Sequence, residues 1–207
     1  MAVTVLPATE ADLHALGRVH DRAFRPSVIN RLIWGAVTEE DSAASFARYF
    51  SKALKKPRAK VFKAVDSANG EIKGLAFWTM PLAEGEEPET DKEPSEPAPG
   101  TNKELAKEFF GMLDQCKEQY EKRHLHLGIL AIDPAAQGKG VGKALLEWGL
   151  LYADETSVPL YLEASDEGLG LYRKKGFVHL GNAARSGPGG QFVVWPMRRE
   201  PHSGAAA

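Results

Sequence analysis

The sequence lacks several features that mark specialised protein classes. It contains one cysteine, Cys116, so it cannot form an internal disulfide, which fits a reducing compartment. It has no run of about 20 apolar residues, so we do not expect a membrane-spanning helix. Its first residues include Glu10 and Asp12 and show no basic start before an apolar stretch, which argues against a secretory signal. We therefore expect a soluble, cytoplasmic protein.

The chain also lacks a strong excess of charge of either sign. Its 26 Lys and Arg residues and 28 Asp and Glu residues give a formal net charge of −2. Proteins that bind nucleic acid or acidic membranes usually carry a basic field, so we expect neither partner. A length of 207 residues suits one domain, and an apolar share of 43% can fill its core. We predict a single domain over residues 1–200, followed by a flexible tail at 201–207.

One internal segment has no large apolar residue. Residues 84–100 read EGEEPETDKEPSEPAPG, which is acidic and proline-rich. Such a composition cannot bury enough apolar surface to offset the entropy of ordering. We predict a disordered surface insertion here, and the sequence assigns it no role.

Elsewhere, alternating and helical apolar patterns follow one another along the chain. The last strands favour antiparallel pairing, so the predicted fold class is α+β with a mixed sheet. The predicted strands are Ala2–Leu6, Lys60–Val65, Ile72–Met80, His124–Ile132, Leu160–Ala164, Phe177–Leu180 and Phe192–Trp195. The predicted helices are 9–24, Asp41–Leu54, Leu105–Tyr120, Gly140 to about Ala153, and Glu167–Lys175.

A glycine-rich turn between a strand and a helix is the most informative segment. Three glycines remove side chains where the chain turns, so main-chain N–H groups can converge on an anion. The start of a helix adds unpaired N–H donors and a partial positive charge, and two lysines add more. A pyrophosphate is the natural ligand of such a turn. The turn contains, in order, Gln137, Gly138, Lys139, Gly140, Val141, Gly142 and Lys143.

Two better-known phosphate-binding loops do not fit this spacing. In a Walker A loop, Gly138 would stand one residue too close to Gly142-Lys143, and Ala144 occupies the place of the required Ser or Thr. In a dinucleotide-binding fingerprint, the third glycine would come one residue later than Gly142. The nucleoside triphosphate and dinucleotide interpretations are therefore set aside.

The turn instead resembles the Gln/Arg-x-x-Gly-x-Gly/Ala signature of the GNAT superfamily of N-acetyltransferases. Downstream, LYLEASDEGLGLYRKKGF resembles the family's next strand and helix, which often end in Tyr-x-x-x-Gly-Phe. The resemblance covers about Leu125–Gly181 and is only topological in the N-terminal part. The residues that carry it are Gln137, Gly140, Gly142, Tyr172, Gly176 and Phe177.

This resemblance implies acetyl-CoA as cosubstrate and no metal. It implies a mainly antiparallel sheet, flanked by helices, in which strands 124–132 and 160–164 splay apart. The pantetheine arm would then pair with one exposed strand edge like an added strand. The strand-edge residues are Leu130, Ala131 and Ile132, and the turn Gln137–Lys143 is assigned to the pyrophosphate. Ser165 is a further candidate for the pantetheine, with capping of the next helix as its alternative.

The family reaction is a direct attack of a neutral amine on the thioester, which needs a base and a proton donor. Tyr172 matches the family tyrosine that points at the coenzyme sulfur, so the resemblance assigns it as general acid. Its alternative is an aromatic core residue.

The general base could come from either of two predicted strands. His124 and His126 lie on one face of their strand, resemble the paired histidines of arylalkylamine N-acetyltransferases, and suit proton transfer near neutral pH. Of the two, His126 is favoured as nearer the cleft. Glu163 competes, because Leu162–Ser165 resembles the Leu-Glu-Thr-Ser segment of puromycin-type acetyltransferases.

The acceptor is expected to be a small-molecule amine, and the chain a monomer or homodimer. Acetylation of protein N-termini or lysines, and a non-catalytic acyl-CoA-binding module, are the alternatives. Aromatic candidates for a pocket wall are Phe24, Trp34, Phe77 and Trp78. Because Phe77 and Trp78 are neighbours on a strand, at most one of them can face the cleft.

Overall fold

A computed structural model describes residues 2–83, 85–86, 96–118, 120 and 123–202. In this part of the chain, eight strands form one sheet in the order β1-β2-β3-β4-β5-β8-β6, and β7 also pairs with β8. All neighbouring pairs are antiparallel except the parallel pair β4 and β5. The predicted mixed, mainly antiparallel sheet is confirmed. The strands are β1 Val3–Pro7, β2 Ala59–Asp66, β3 Ile72–Thr79, β4 Leu125–Ile132, β5 Leu160–Ala164, β6 Val178–His179, β7 Ala184–Ser186 and β8 Phe192–Arg199.

Helices cover both faces of the sheet. The helix α5 (Val141–Thr156) packs on one face and forms the largest core cluster with β3, β4 and β5. The helices α1 (Leu13–Phe24) and α3 (Glu39–Leu54) pack together on the other face, over β3 and β4. Shorter or peripheral helices are α2 Val28–Trp34, α4 Lys103–Glu118 and α6 Leu169–Lys174.

Polar side chains cap the start of the first helix, as the sequence predicts. Thr9 and Asp12 form a capping box, in which the Thr9 N–H donates to the Asp12 carboxylate at 2.8 Å. A 3-10 turn at Glu10–Asp12 precedes α1, so the predicted helical segment is a turn followed by a helix. Lys63 of β2 donates to Asp12 at 2.6 Å, which fixes the helix start to the sheet.

The prediction missed α2 and β7. Seven residues give α2 less than two full apolar repeats, and its clearest local sign is the Ser27 cap, whose hydroxyl accepts from the Asn30 N–H at 3.1 Å. β7 has three residues, too few for an alternating pattern to stand out.

The connection between β3 and β4 is long, although these strands are neighbours. Of the predicted insertion 84–100, residues 84 and 87–95 lie outside the described residues. Ala98, at its far end, is 4% exposed, and the Asn102 N–H donates to the Ile33 carbonyl at 2.8 Å. The chain is therefore tied to α2 just before α4 begins.

Most of the predicted tail, residues 203–207, also lies outside the described residues. The His202 N–H donates to Asp154 at 2.8 Å, and Arg199 binds the same carboxylate through two hydrogen bonds of 2.8 Å. Within the described ranges, no helix combines the length and apolar character that crossing a bilayer requires.

Candidate active site

The parallel strands β4 and β5 separate after three pairs. The last pair is Leu127 with Leu162, whereas β4 runs on to Ile132. Beyond Leu127, β4 keeps its partner β3 on one side, and its other edge has left β5. This is the splayed strand pair that the resemblance implied. It leaves main-chain N–H and C=O groups of β4 facing the gap.

A β-bulge marks the point of separation. Phe77 pairs with Ile129 and Trp78 with Leu127, so Gly128 has no opposite residue. An extra residue bends its strand and increases the local twist. Gly128 is exposed, and the bulge therefore turns β4 away from β5.

The glycine turn has the geometry of an anion site. Gly138 and Gly140 have φ of +72° and +87°, and a Cβ added at either would meet no heavy atom within 4 Å. Gly140 is the N-cap of α5 and makes no side-chain capping bond, so the first N–H groups of the helix point outward unpaired by a cap. The glycines are needed here for backbone conformation, and they leave open space in front of it.

Several hydrogen bonds stabilise the conformation of the turn. The Asp133 carboxylate accepts from the Ala135 N–H at 3.0 Å and from Arg22 of α1 at 3.0 Å. Lys139 donates to the Ala135 carbonyl at 2.8 Å, and the Gln137 amide donates to the Ile132 carbonyl at 3.3 Å. Gln137 and Lys139 therefore shape the turn, whatever else they bind.

Three other turn residues differ in burial and therefore in which of their atoms can reach a ligand. Val141 is buried in the α5 core, so its main chain alone can reach a ligand. Gly142 has a packing reason to be glycine, because a Cβ there would lie 3.1 Å from Leu171 of α6. Lys143 is exposed beside the turn.

The two competing bases are bonded to each other. His126 Nε2 and Glu163 Oε2 are 2.9 Å apart, and their side chains are 11% and 6% exposed. Burial alone would raise the pKa of Glu163, but the hydrogen bond and the charge of His126 together lower it. Glu163 is therefore an ionised, nearly buried carboxylate held against an imidazole.

Tyr161 is a member of this cluster that sequence reasoning missed. It is fully buried beside His126, with ring centroids 5.6 Å apart, and stacks on Tyr120 at 4.5 Å. Its hydroxyl interacts with the Glu163 carboxylate. Burial and the negative charge of Glu163 raise its pKa, so it stays protonated. The sequence contains a sign of this, because Tyr161 and Glu163 are two positions apart on a strand and their side chains therefore lie on the same face of β5.

His124 lies on the same face as His126, as predicted. The ring centroids of the two histidines are 6.2 Å apart, and that of Tyr161 is 5.3 Å from His124. His126 is nearer the bulge, because a Cβ on Gly128 would lie 3.7 Å from His126 Cε1. His126 therefore stays the favoured candidate of the two.

Tyr172 lies on the other face of the sheet. It belongs to the α5-side core, where its ring packs edge to face on Phe177 at 5.7 Å. Burial raises the pKa of its phenol, which keeps the proton on the oxygen. Tyr172 and His126 thus lie on opposite faces and can act on one molecule only through the space between β4 and β5.

The remaining candidates divide into edge and loop positions. Leu130, Ala131 and Ile132 all lie on β4 beyond the last pair with β5, with their side chains packed in the two cores. Ser165 is exposed after β5. It is not the cap of α6, whose N-cap is Gly168.

The aromatic candidates also divide. Trp78 is fully buried against α5, where a Cβ on Gly149 would lie 2.3 Å from its ring. Phe77 is half-buried on the opposite face, in the cluster with α1 and α3, which confirms the predicted alternation. Phe24 packs on His20 in the same cluster as Phe77, whereas Trp34 packs on Phe110 in a separate cluster. Among the described residues, no three His, Cys, Asp or Glu side chains are arranged to hold a metal ion.

Comparisons with known proteins agree with this architecture. Residues 103–179 match the family model of the acetyltransferase (GNAT) domain. The chain is 40% identical over 50 residues to the probable acyltransferase SID5 of Ajellomyces capsulatus, a match that spans 24% of this chain and 37% of that protein. It is 38% identical over 56 residues to an uncharacterized N-acetyltransferase of Schizosaccharomyces pombe, spanning 27% and 24%. The matches thus cover 37% and 24% of the length of these two relatives.

Solved structures match over a larger part of the chain. A Corynebacterium glutamicum protein described as histone acetyltransferase HPA2 and related acetyltransferase is 26% identical, with a TM-score of 0.62 and full coverage of both chains. The ribosomal-protein-S18-alanine N-acetyltransferase of Escherichia coli is 18% identical, with a TM-score of 0.58 over 100% of this chain and 99% of that one. The PaiA N-acetyltransferase of Thermoplasma acidophilum, solved with coenzyme A, has a TM-score of 0.54 at 13% identity, over 97% and 99%.

Proposed function

The chain belongs to the GNAT superfamily of acetyltransferases, and we propose that it transfers an acetyl group directly from acetyl-CoA to a primary amine of a small molecule. The observation that carries the proposal is the His126–Glu163 pair. It lies at the point where the strands separate: His126 precedes the last pair, Leu127 with Leu162, and Glu163 follows it.

The pair divides the roles that the sequence left open. Glu163 is ionised and can only accept, so the hydrogen of the 2.9 Å bond resides on His126 Nε2. In the neutral ring, the lone pair is then on Nδ1, which is the nitrogen that takes a proton. His126 is the proposed base, and Glu163 fixes its tautomer and stabilises the imidazolium that forms. Tyr161 packs against the ring and limits its rotation.

The turn at 137–143 fits the pyrophosphate of the coenzyme. Its open glycines and the uncapped N–H groups of α5 supply donors, and Lys143 supplies a nearby positive charge. The free edge of β4 at Leu130–Ile132 offers main-chain partners to the amides of the pantetheine arm. Bound in this way, the coenzyme supplies a reactive thioester in the gap, and Ser165 borders its path.

The proposed reaction balances with these residues alone. The amine nitrogen forms a bond to the thioester carbonyl carbon and gives its proton to His126 Nδ1. The carbon–sulfur bond then breaks, and Tyr172 donates its proton to the departing thiolate. The products are an N-substituted acetamide and coenzyme A, and solvent restores both protonation states. Main-chain N–H groups at the β4 edge are the available donors for the oxyanion.

A protein acceptor is the second candidate. Two adjoining clefts run between α4 and the strands β6 and β7, and they share Met112, Gln115 and Arg185. Their inner end is lined by Cys116 and Tyr120, which contact the site through Tyr161. An extended chain fits such a groove better than a small amine does.

One assay tests the proposal and its alternatives. Thiol release from acetyl-CoA is followed with a panel of primary amines, with peptides bearing a free N-terminus, and with peptides bearing lysine. Turnover with small amines supports the proposal, and turnover with peptides alone favours the second candidate. If calorimetry shows tight coenzyme binding but no acceptor reacts, the chain is a non-catalytic acyl-CoA-binding module.

A further inference from the structure

One of the two clefts beside α4 ends next to the His126–Glu163 pair. This inner cleft, the one lined by Cys116 and Tyr120, has a volume of about 460 Å³. Taken alone, it falls in the range of about 300–1,000 Å³ that is usual for small-molecule sites. Pro196 also lines it, and Pro196 is paired with Glu163 across β8 and β5. Because directly opposed residues lie on one face with Cβ atoms about 5 Å apart, the inner cleft ends beside Glu163.

Cys116 and Tyr120 place the same end of the cleft at the pair. Burial raises the pKa of the Cys116 thiol, and the negative charge of Glu163 raises it further. The Tyr120 ring stacks on Tyr161, which itself contacts His126. A ligand in this end of the cleft therefore lies in the field of the Glu163 carboxylate, which favours a positively charged ammonium group there.

The other charge of the inner cleft is positive. Of the described residues that line it, Arg185 alone is charged at neutral pH. Arg185 is exposed, and its side chain has no ion pair with any described residue. Gln115 and Asn182 add amide N–H donors to the lining. The adjoining outer cleft shares Arg185 but also holds Glu104 and Glu108, which disfavour an anion on that side. An unpaired guanidinium can bind a carboxylate through two parallel hydrogen bonds.

The two charges are separated along and across β8. Glu163 is paired with Pro196, and Arg185 with Val193, three positions along the same strand. β7 follows β6 on the edge of β8 opposite to β5. Three strand residues span about 10 Å, and two strand spacings add about 10 Å across, so the two main-chain positions lie roughly 14 Å apart. The two side chains shorten this gap, but one ligand can reach both only if its own charges stand at opposite ends.

We infer that the inner cleft binds the acceptor as an ω-amino acid, with its ammonium group beside Glu163 and its carboxylate on Arg185. This inference rests on the proposed function. An α-amino acid carries both charges on one carbon and cannot span the gap, and an alkylamine leaves Arg185 without a partner. A single arginine matches the single charge of a carboxylate, whereas a phosphate group, with a charge of about −1.5 to −2, would stay partly unmatched.

The test compares three acceptors with the same five-carbon chain by kcat/KM in the thiol-release assay. They are pentylamine, 5-aminopentanoate and 2-aminopentanoate. We expect 5-aminopentanoate to exceed pentylamine about tenfold or more, as a hydrogen-bonded charge pair should give, and 2-aminopentanoate to show no such advantage. The advantage should appear in KM, because Arg185 binds the acceptor far from the reacting atoms.

Variants of Arg185 assign the advantage to this side chain. Arg185→Gln should reduce it to about threefold or less, and Arg185→Lys, which keeps the charge without the planar fork, should retain part of it. Arg48→Gln is the matched control, since it removes the same charge from an exposed position on α3 that lines neither cleft, and it should leave the advantage unchanged.

Each outcome decides the inference. Equal use of pentylamine and 5-aminopentanoate by the wild-type chain overturns it, as does an undiminished advantage in Arg185→Gln with a wild-type circular dichroism spectrum. An equal advantage for 2-aminopentanoate overturns the placement of the two charges at opposite ends. If Arg185→Gln does not fold, Arg185→Ala replaces it with the same expected loss. If other amines react but these three do not, the inference also fails. If no acceptor reacts at all, the proposed function fails instead.

Discussion

His126 Nε2 and Glu163 Oε2 lie 2.9 Å apart beside the last pair of β4 with β5, Leu127 with Leu162. These two residues are candidates for one role when the sequence is read alone. In space they are bonded to each other, each on its own strand, and we propose that they act as a base and its orienting partner.

Glu163→Gln should therefore damage turnover more than binding. The amide keeps the size of the side chain but removes the charge that stabilises the imidazolium, so kcat should fall about 100-fold with the KM for acetyl-CoA nearly unchanged. Glu147→Gln, on the exposed face of α5, is the matched control and should keep the wild-type kcat. A wild-type kcat in Glu163→Gln would argue against the pairing.

Tyr172→Phe separates proton donation from packing. The ring contact with Phe177 is retained, so the free energy of unfolding should change by no more than about 1 kcal/mol. If the hydroxyl protonates the leaving thiolate, kcat should fall roughly 100-fold. Steady-state rates and urea denaturation measured on the same preparation check both. Full activity would assign Tyr172 to the core alone.

Gly140→Ala tests the turn. A side chain at φ +87° strains the backbone by about 1–2 kcal/mol, and the methyl group enters the space proposed for the pyrophosphate. Coenzyme affinity measured by calorimetry should fall at least about tenfold. Gly170→Ala is the control, because Gly170 lies in α6 with open space around it and no positive φ. That variant should bind normally and gain about 0.5–1 kcal/mol of stability. Equal binding by both variants would contradict the assignment.

His20 should make the fold sensitive to acid. It is buried between α1 and α3, stacks on Phe46, and burial lowers its pKa from 6.5 to about 3. Between those pH values the unfolded chain binds a proton that the folded chain does not, so stability falls as pH drops below about 6.5. The loss is about 1.4 kcal/mol per pH unit, or roughly 2 kcal/mol at pH 5. The free energy of unfolding, measured by urea denaturation at pH 7 and pH 5, should differ by this amount in the wild-type chain. The difference should be smaller in His20→Phe.

The parts of the fold that sequence predicted are those fixed by local chemistry. The turn at 137–143, the strand before it and the helix after it follow from glycine positions and apolar spacing, and the structure has them with ends shifted by a few residues. The alternation of Phe77 and Trp78 likewise needed no tertiary information.

What could not be predicted depends on contacts between distant segments. The bond between His126 and Glu163 joins residues 37 positions apart, and it requires the parallel register of two strands. The bulge at Gly128 appears only when β4 is laid against β3. A tyrosine on a strand is usually a core residue, and only the contacts of Tyr161 with His124 and His126 on the other strand place it in the cluster.

The distance along the chain between β3 and β4 has a consequence for how the protein folds. Adjacent antiparallel strands usually close through a turn of a few residues, but here roughly 45 residues intervene, and closing so long a loop costs about 2 kcal/mol more in chain entropy than a five-residue turn. That pairing also creates the bulge and sets the edge of the gap. The catalytic geometry is therefore expected to form late, after α4 and the local hairpin of β2 and β3, and to be the first part lost when the sheet is loosened.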